Sequence, residues 1–238
     1  MEICMAKARH HHYPEDIFIK ITKKIEHFIV KHLKVIIINI SVVIIVLAAY
    51  FSVDYIFKKN EGKAQNAFDK VYLVYTDLLN KEDMPEEELN KKLIDLNEDF
   101  KIVLNDFPKS KAAVKSAYYI GNTLYKARKY EDAVKYFEQG YTINNKFYIS
   151  FLCLQKEASS YEQLGEYEKA VQVYKKIENE FSDSFILPTV LFNLAQIYEK
   201  QDKLEKANDV YSKIVSSFQW SSWKGFAEKR QLLIKNFM

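Results

Sequence analysis

The chain has 238 residues, 35 of them Lys or Arg and 32 Asp or Glu, with 48% hydrophobic residues, five glycines and two cysteines. Its net charge of +3 sits in the first 34 residues, so the remainder is neutral and lacks the clustered cations that displace counterions from nucleic-acid phosphates. Two cysteines, Cys4 and Cys153, exclude a disulfide framework and a CxxC site.

Residues 1–34 read as a basic tail. A histidine run, His10–His12, precedes Tyr13-Pro14-Glu15-Asp16, where proline and two acids open a helix. Adjacent imidazoles on a tail do not converge on one ion, so no metal site is predicted, even with His27 and His32 further along. From Ile17 the apolar residues Ile21, Ile25, Phe28, Ile29 and Leu33 recur at helical spacing with lysines mostly off the stripe. This is the pattern of a basic amphipathic helix lying on a membrane face.

Val35 to Val53, VIIINISVVIIVLAAYFSV, carries no charge. At about 1.5 Å per residue it reaches roughly 28 Å as a helix, close to the hydrocarbon thickness of a bilayer. It predicts a transmembrane helix over 35–57, with Tyr50, Phe51, Tyr55 and Phe57 near its second end, where aromatic rings favour the headgroup layer. A 34-residue leader is too long for a removable signal, so an uncleaved single-pass anchor is expected. Five lysines precede the span and four follow it within about 20 residues, a small bias toward a cytoplasmic tail. One span also places Cys4 and Cys153 on opposite sides of the membrane.

Beyond it, Lys58 to Lys63 with Gly62 reads as a polar joint. Ala64, Ala67, Phe68, Val71, Tyr75, Leu78 and Leu79 mark one helix, and Pro85 followed by three glutamates opens another, with Leu89, Leu93, Leu96, Phe100, Val103 and Leu104 on its face. Residues 58–108 thus form a degenerate first hairpin. No stretch alternates with period two, and the fold class expected is all-α.

Internal periodicity dominates residues 109–220. Ala133, Ala170 and Ala207 lie 37 residues apart; Phe137, Tyr174 and Tyr211 follow each by four, and Gly121, Ala158 and Ala195 precede each by twelve. Small residues at fixed places let two helices approach closely, so each unit reads as a helical hairpin, and residues 221–238 as a capping helix. All five histidines lie within the first 32 residues, and no GxG or GxxxxGK occurs. The repeat region therefore offers no His-based triad, no imidazole base and no phosphate loop. Neither an enzyme nor a bound cofactor is expected.

The segments KYEDAVKYFEQGYTI, LGEYEKAVQVYKKI and KLEKANDVYSKI resemble tetratricopeptide repeats, with small residues at positions 8 and 20 and large apolar ones between. The chain departs from that family in a period of 37 rather than 34, in Glu157 at an apolar position and in lacking the usual terminal proline. The resemblance implies a solenoid whose first helices line a concave groove for protein partners. Carried over by position, that groove comprises Lys115, Tyr118, Asn122, Tyr125 and Lys126, then Gln155, Ser159, Glu162 and Gln163, then Thr189, Phe192, Gln196, Glu199 and Lys200. Tyr118, Tyr125 and Phe192 are the expected aromatic anchors. Tyr118 stands where a carboxylate clamp needs lysine, so capture of a peptide C-terminus is not expected.

Short basic tail, one span and repeat domain together are similar to a bacterial single-span family that includes the ancillary subunit of the SecYEG translocon. That layout implies an inner-membrane protein with an extracytoplasmic domain binding exported or envelope proteins. A scaffold for envelope assembly or division, and a regulatory anchor whose tail binds lipid or metal, remain open. Partner identity and homo-oligomeric state are not fixed by the sequence.

Overall fold

A computed structural model describes residues 17–235 and residue 237; His10–His12, Cys4 and the helix start at Pro14 lie outside the described residues. Among the described residues all regular structure is helical: α1 (Ile17–Leu79), α2 (Glu86–Asp106), α3 (Lys111–Lys126), α4 (Tyr130–Ile143), α5 (Tyr148–Gln163), α6 (Tyr167–Glu180), α7 (Leu187–Lys200), α8 (Leu204–Ser217) and α9 (Trp223–Ile234). The chain divides into two units between Phe57 and Lys58.

In the first unit, α1 is long and apolar enough to cross a bilayer, and none of its most apolar stretch is buried. Ser41 and Ser52 donate their hydroxyls to the carbonyls of Ile37 and Ala48, which removes the unpaired polar groups an apolar solvent would penalise. The polar joint expected at Lys58–Lys63 does not interrupt the helix, which runs unbroken to Leu79. Lysine and glutamate are good helix formers, and one internal glycine, Gly62, costs only about 1 kcal/mol.

The second unit is a stack of hairpins. α2 starts on Pro85 with Glu86, Glu87 and Glu88 in its first turn, and α3 is capped by Ser110, whose hydroxyl accepts from the Ala113 N–H at 3.0 Å. Ala133, Ala170, Ala207, Phe137, Tyr174, Tyr211, Ala158 and Ala195 are fully buried, so the columns seen in the sequence are the core. One core runs from Ala64, Phe68 and Tyr75 of α1 through α2, α3 and α4 to Cys153; a second runs from Phe151 to Ile234. Each large side chain so buried contributes roughly 1.5 to 3 kcal/mol. Gly121 and Gly140 are needed for closeness: a Cβ would stand 2.7 Å from the Phe137 ring at the first and 2.7 Å from Cys153 Sγ at the second.

Both turn types repeat. Within hairpins, Arg128, Gly165 and Asp202 hold φ of +59°, +75° and +57°. The next residue's N–H in each (Lys129, Glu166, Lys203) donates back 2.9 Å to the carbonyl of Leu124, Tyr161 or Tyr198. Between hairpins, Phe107, Asn144, Phe181 and Phe218 end helices at 37-residue intervals, each carbonyl accepting from the N–H three residues on. The 37-residue period thus extends to the end of α2.

Candidate partner-binding groove

Neighbouring first helices run parallel. Lys111 N donates to Glu61 Oε1 at 2.9 Å and Lys115 Nζ to Gln65 Oε1 at 2.8 Å, a constant offset between α3 and the 58–79 part of α1. Lys156 Nζ stands 5.0 Å over the Tyr125 ring, tying α5 to α3, and Lys200 Nζ reaches Glu162 Oε1 at 2.5 Å, tying α7 to α5. α9 continues the row: Arg230 pairs with Glu199 of α7.

The predicted groove residues divide along this row. At its start, Lys115 lies over Phe68 at 5.2 Å as well as on Gln65, and Asn122 lies beside Tyr75, so α1 already occupies both. In the middle the structure brings Tyr118, Tyr125, Lys126, Gln155, Ser159 and Glu162 together as half-buried or exposed side chains of α3 and α5. Burial raises the phenol pKa of Tyr118 and of Tyr125, keeping both neutral hydrogen-bond partners. Lys156 is lowered by burial and then by the neighbouring Lys126.

At the far end two predicted residues are corrected. Phe192 is 6% exposed, its ring 4.7 Å from Trp223 and 5.3 Å from Tyr211, so it anchors α9 rather than a partner. Glu199 accepts from Tyr211 Oη at 2.6 Å and from Arg230, which satisfies its carboxylate internally. Both positions would face a groove if the stack continued; a capping helix closes it instead. Gln196 stays exposed beside them.

The sequence reading missed Lys156, which stacks on Tyr125, and the contributions of Gln65, Phe68, Tyr72 and Tyr75. Tyr119 joins the last three in an aromatic cluster with Phe100, its ring centroid 5.0 to 5.8 Å from each of the four. The periodicity could not find them, because α1 pairs with α3 at an offset of 50 residues. Glu157 is 8% exposed in a column otherwise filled by Ile120 and Leu194; burial, and then Glu138, push its carboxyl up to about 7 against an opposing Lys176. Burial likewise raises the Cys153 thiol, which leaves it unreactive. Among the described residues no group of three or more His, Cys, Asp or Glu could hold a metal ion.

Residues 114–147 match one tetratricopeptide-repeat family model, and residues 153–184 and 189–219 match another. The comparison with curated proteins gives no match. Among solved structures the chain is similar to a tetratricopeptide repeat protein from Parabacteroides merdae, with a TM-score of 0.55 at 17% identity over 72% of this chain and 61% of that one. It is similar too to a putative kinesin light chain of Podosopora anserina with nearly identical TPR-like repeats, TM-score 0.53 at 11% identity over 74% of this chain and 87% of that one. This chain therefore spans less than two thirds of the Parabacteroides protein. Likeness at such identities shows the shared fold, a solenoid of tetratricopeptide-type hairpins.

Proposed function

We propose that this tetratricopeptide-repeat solenoid is a non-catalytic scaffold, anchored in a bacterial inner membrane through residues 35–57, that binds protein partners in the groove between α3 and α5. One observation carries the reading: an uncharged helical stretch with no buried side chain is joined in one chain to a stack that completes its own core. Exposed apolar length of that kind needs an apolar solvent. Tethering raises the effective concentration of the groove at the membrane without any added contact.

Tyr118 and Tyr125 are the anchors left after Phe192 and Glu199 are withdrawn, with Lys126, Gln155 and Ser159 around them as polar contacts and Glu162 beside them in its pair with Lys200. The partners proposed are exported or envelope proteins, met in the extracytoplasmic compartment in association with the translocon or a periplasmic chaperone network. The layout of tail, span and repeats supports this placement, as does the small lysine excess before the span.

The test is a photoreactive residue at Tyr118 in intact membranes, with the exposed Ile102 of α2 as control. Adducts to translocon subunits or to exported chains, dependent on the Tyr118 position, are the expected result. Adducts only to cytosolic proteins overturn the compartment, and equal adducts from both positions overturn the groove.

A further inference from the structure

The stack has two unlike edges. One is made of the turns between hairpins, and it holds the N-termini of α3, α5, α7 and α9. Because Glu61 and Gln65 lie beside Lys111 and Lys115, the start of the second unit at Lys58 belongs to this same edge. The other edge is made of the turns within hairpins, at 80–85, 127–129, 164–166 and 201–203.

Exposed aromatic side chains gather mainly at the first edge, with Phe237, past the end of α9, the exception at the other. Tyr148, the first residue of α5, is 69% exposed, and Phe185 78% and Trp220 66% in the next two turns between hairpins. The turns of the other edge present no large exposed apolar side chain. Charge divides in the same sense. The aromatic edge carries Lys109, Lys111, Lys146 and Lys224, with Lys58, Lys59 and Lys63 at its start, against the acids Glu61, Asp106, Glu180 and Asp183, and Lys109 and Lys146 have no carboxylate partner among the described residues. At the opposite edge acids outnumber bases, Glu82, Asp83, the first turn of α2, Glu131, Asp132, Glu166, Glu168 and Asp202 standing against Lys81, Arg128, Lys129 and Lys203.

We infer that the edge bearing Tyr148, Phe185 and Trp220 is a docking surface for an anionic lipid headgroup layer. The inference rests on the anchor reading, since chain connectivity then brings the edge that begins at Lys58 to the bilayer. Aromatic rings with an apolar body and lysines beside them suit that layer, the rings entering the boundary with the acyl chains and the cations meeting lipid phosphates. The acidic edge is kept away by the same field.

Trp220 and Trp223 are the only tryptophans in the sequence, so the chain reports on this edge without a label. The full chain carrying Trp223→Phe is reconstituted into vesicles of phosphatidylglycerol or of phosphatidylcholine, each with plain or brominated acyl chains. Brominated phosphatidylglycerol is expected to lower Trp220 emission at least twofold relative to its plain counterpart, with a smaller loss in phosphatidylcholine. Tyr148→Ser with Phe185→Ser, or Lys109→Gln with Lys146→Gln, should reduce that loss while leaving circular dichroism unchanged. The quenchable emission should vanish in the wild-type background with Trp220→Phe. A chain that floats with the vesicles but shows no bromine-dependent loss overturns the docking alone. One that does not float overturns the anchor and the docking with it. Shielding of Trp220 from acrylamide by polyglutamate but not by either lipid assigns the edge to acidic proteins and overturns the lipid surface.

Discussion

Residues 35–53 and the helices of the repeat stack draw on the same aliphatic side chains and treat them oppositely. Ile37, Ile44 and Val46 are each more than half exposed, whereas Ile120, Ile177 and Ile214 are not exposed at all. The difference is spacing. In the stack apolar residues recur on one face and at 37-residue intervals, so each finds a partner in the next helix; the first stretch is apolar all round and none of it is buried. Hydrophobicity alone therefore says only that a side chain leaves water, and its period says whether the chain itself supplies the place.

The largest effect that would sharpen this contrast is truncation. Phe137→Ala removes a fully buried ring that packs against Gly121 and should cost about 3 to 5 kcal/mol in urea unfolding of the detergent-solubilised chain. Ile44→Ala should leave the same transition within about 0.5 kcal/mol. An Ile44 variant that lowers the midpoint as far as the Phe137 variant would show that the two regions share a core, and the contrast would fail.

A charge separates them from the other side. Ile44→Arg places a guanidinium near the middle of the apolar stretch, at about 2.5 to 3.5 kcal/mol against insertion. The fraction of chain resisting alkaline extraction should fall, with the unfolding midpoint of the stack unmoved. Undiminished membrane retention would mean that residues 35–53 do not span.

Within the stack, Glu157 puts a buried carboxyl in a column that is otherwise aliphatic. Its carboxyl, ordinarily near 4.5, is raised to about 7, so the folded chain holds the proton more tightly than the unfolded one. The stability linked to it is present in full below about pH 4.5 and lost as the pH rises through about 7, at most about 3 kcal/mol in all. Glu157→Gln should thus stabilise the chain by about 1 to 3 kcal/mol at pH 8 and by little at pH 4.5. A gain of equal size at both pH values would trace it to packing instead of charge.

What was legible in the sequence follows the same division. Ala133, Ala170 and Ala207 could be read because three copies of one environment impose one residue size, whereas Tyr118 and Tyr125 were placed by resemblance to the groove positions of the repeat family. Phe192 and Glu199 misled for a physical reason: a repeat position specifies which way a side chain points, not whether another helix follows, and α9 covers both. The helix through Lys58–Lys63 was missed because polar residues are equally at home in a solvated helix and in a loop. The α1 residues beside the groove were hidden by an insertion that shifts their offset to 50.

The smallest effect tests the turns that make the stack regular. Arg128, Gly165 and Asp202 occupy the same left-handed position 37 residues apart, yet only the middle one is glycine. A side chain there crowds the following carbonyl at a cost of about 1 kcal/mol or more, part of which glycine gives back through its greater freedom in the unfolded chain. Arg128→Gly and Asp202→Gly should therefore each stabilise by about 0.5 to 1 kcal/mol, while Gly165→Ala should destabilise by a similar amount. The signs matter more than the sizes: two glycine substitutions that help and one glycine removal that hurts, at equivalent places, can arise only if the three turns share one backbone conformation. A loss of stability in either glycine variant would mean that the side chain it removes, not the turn, holds that hairpin together.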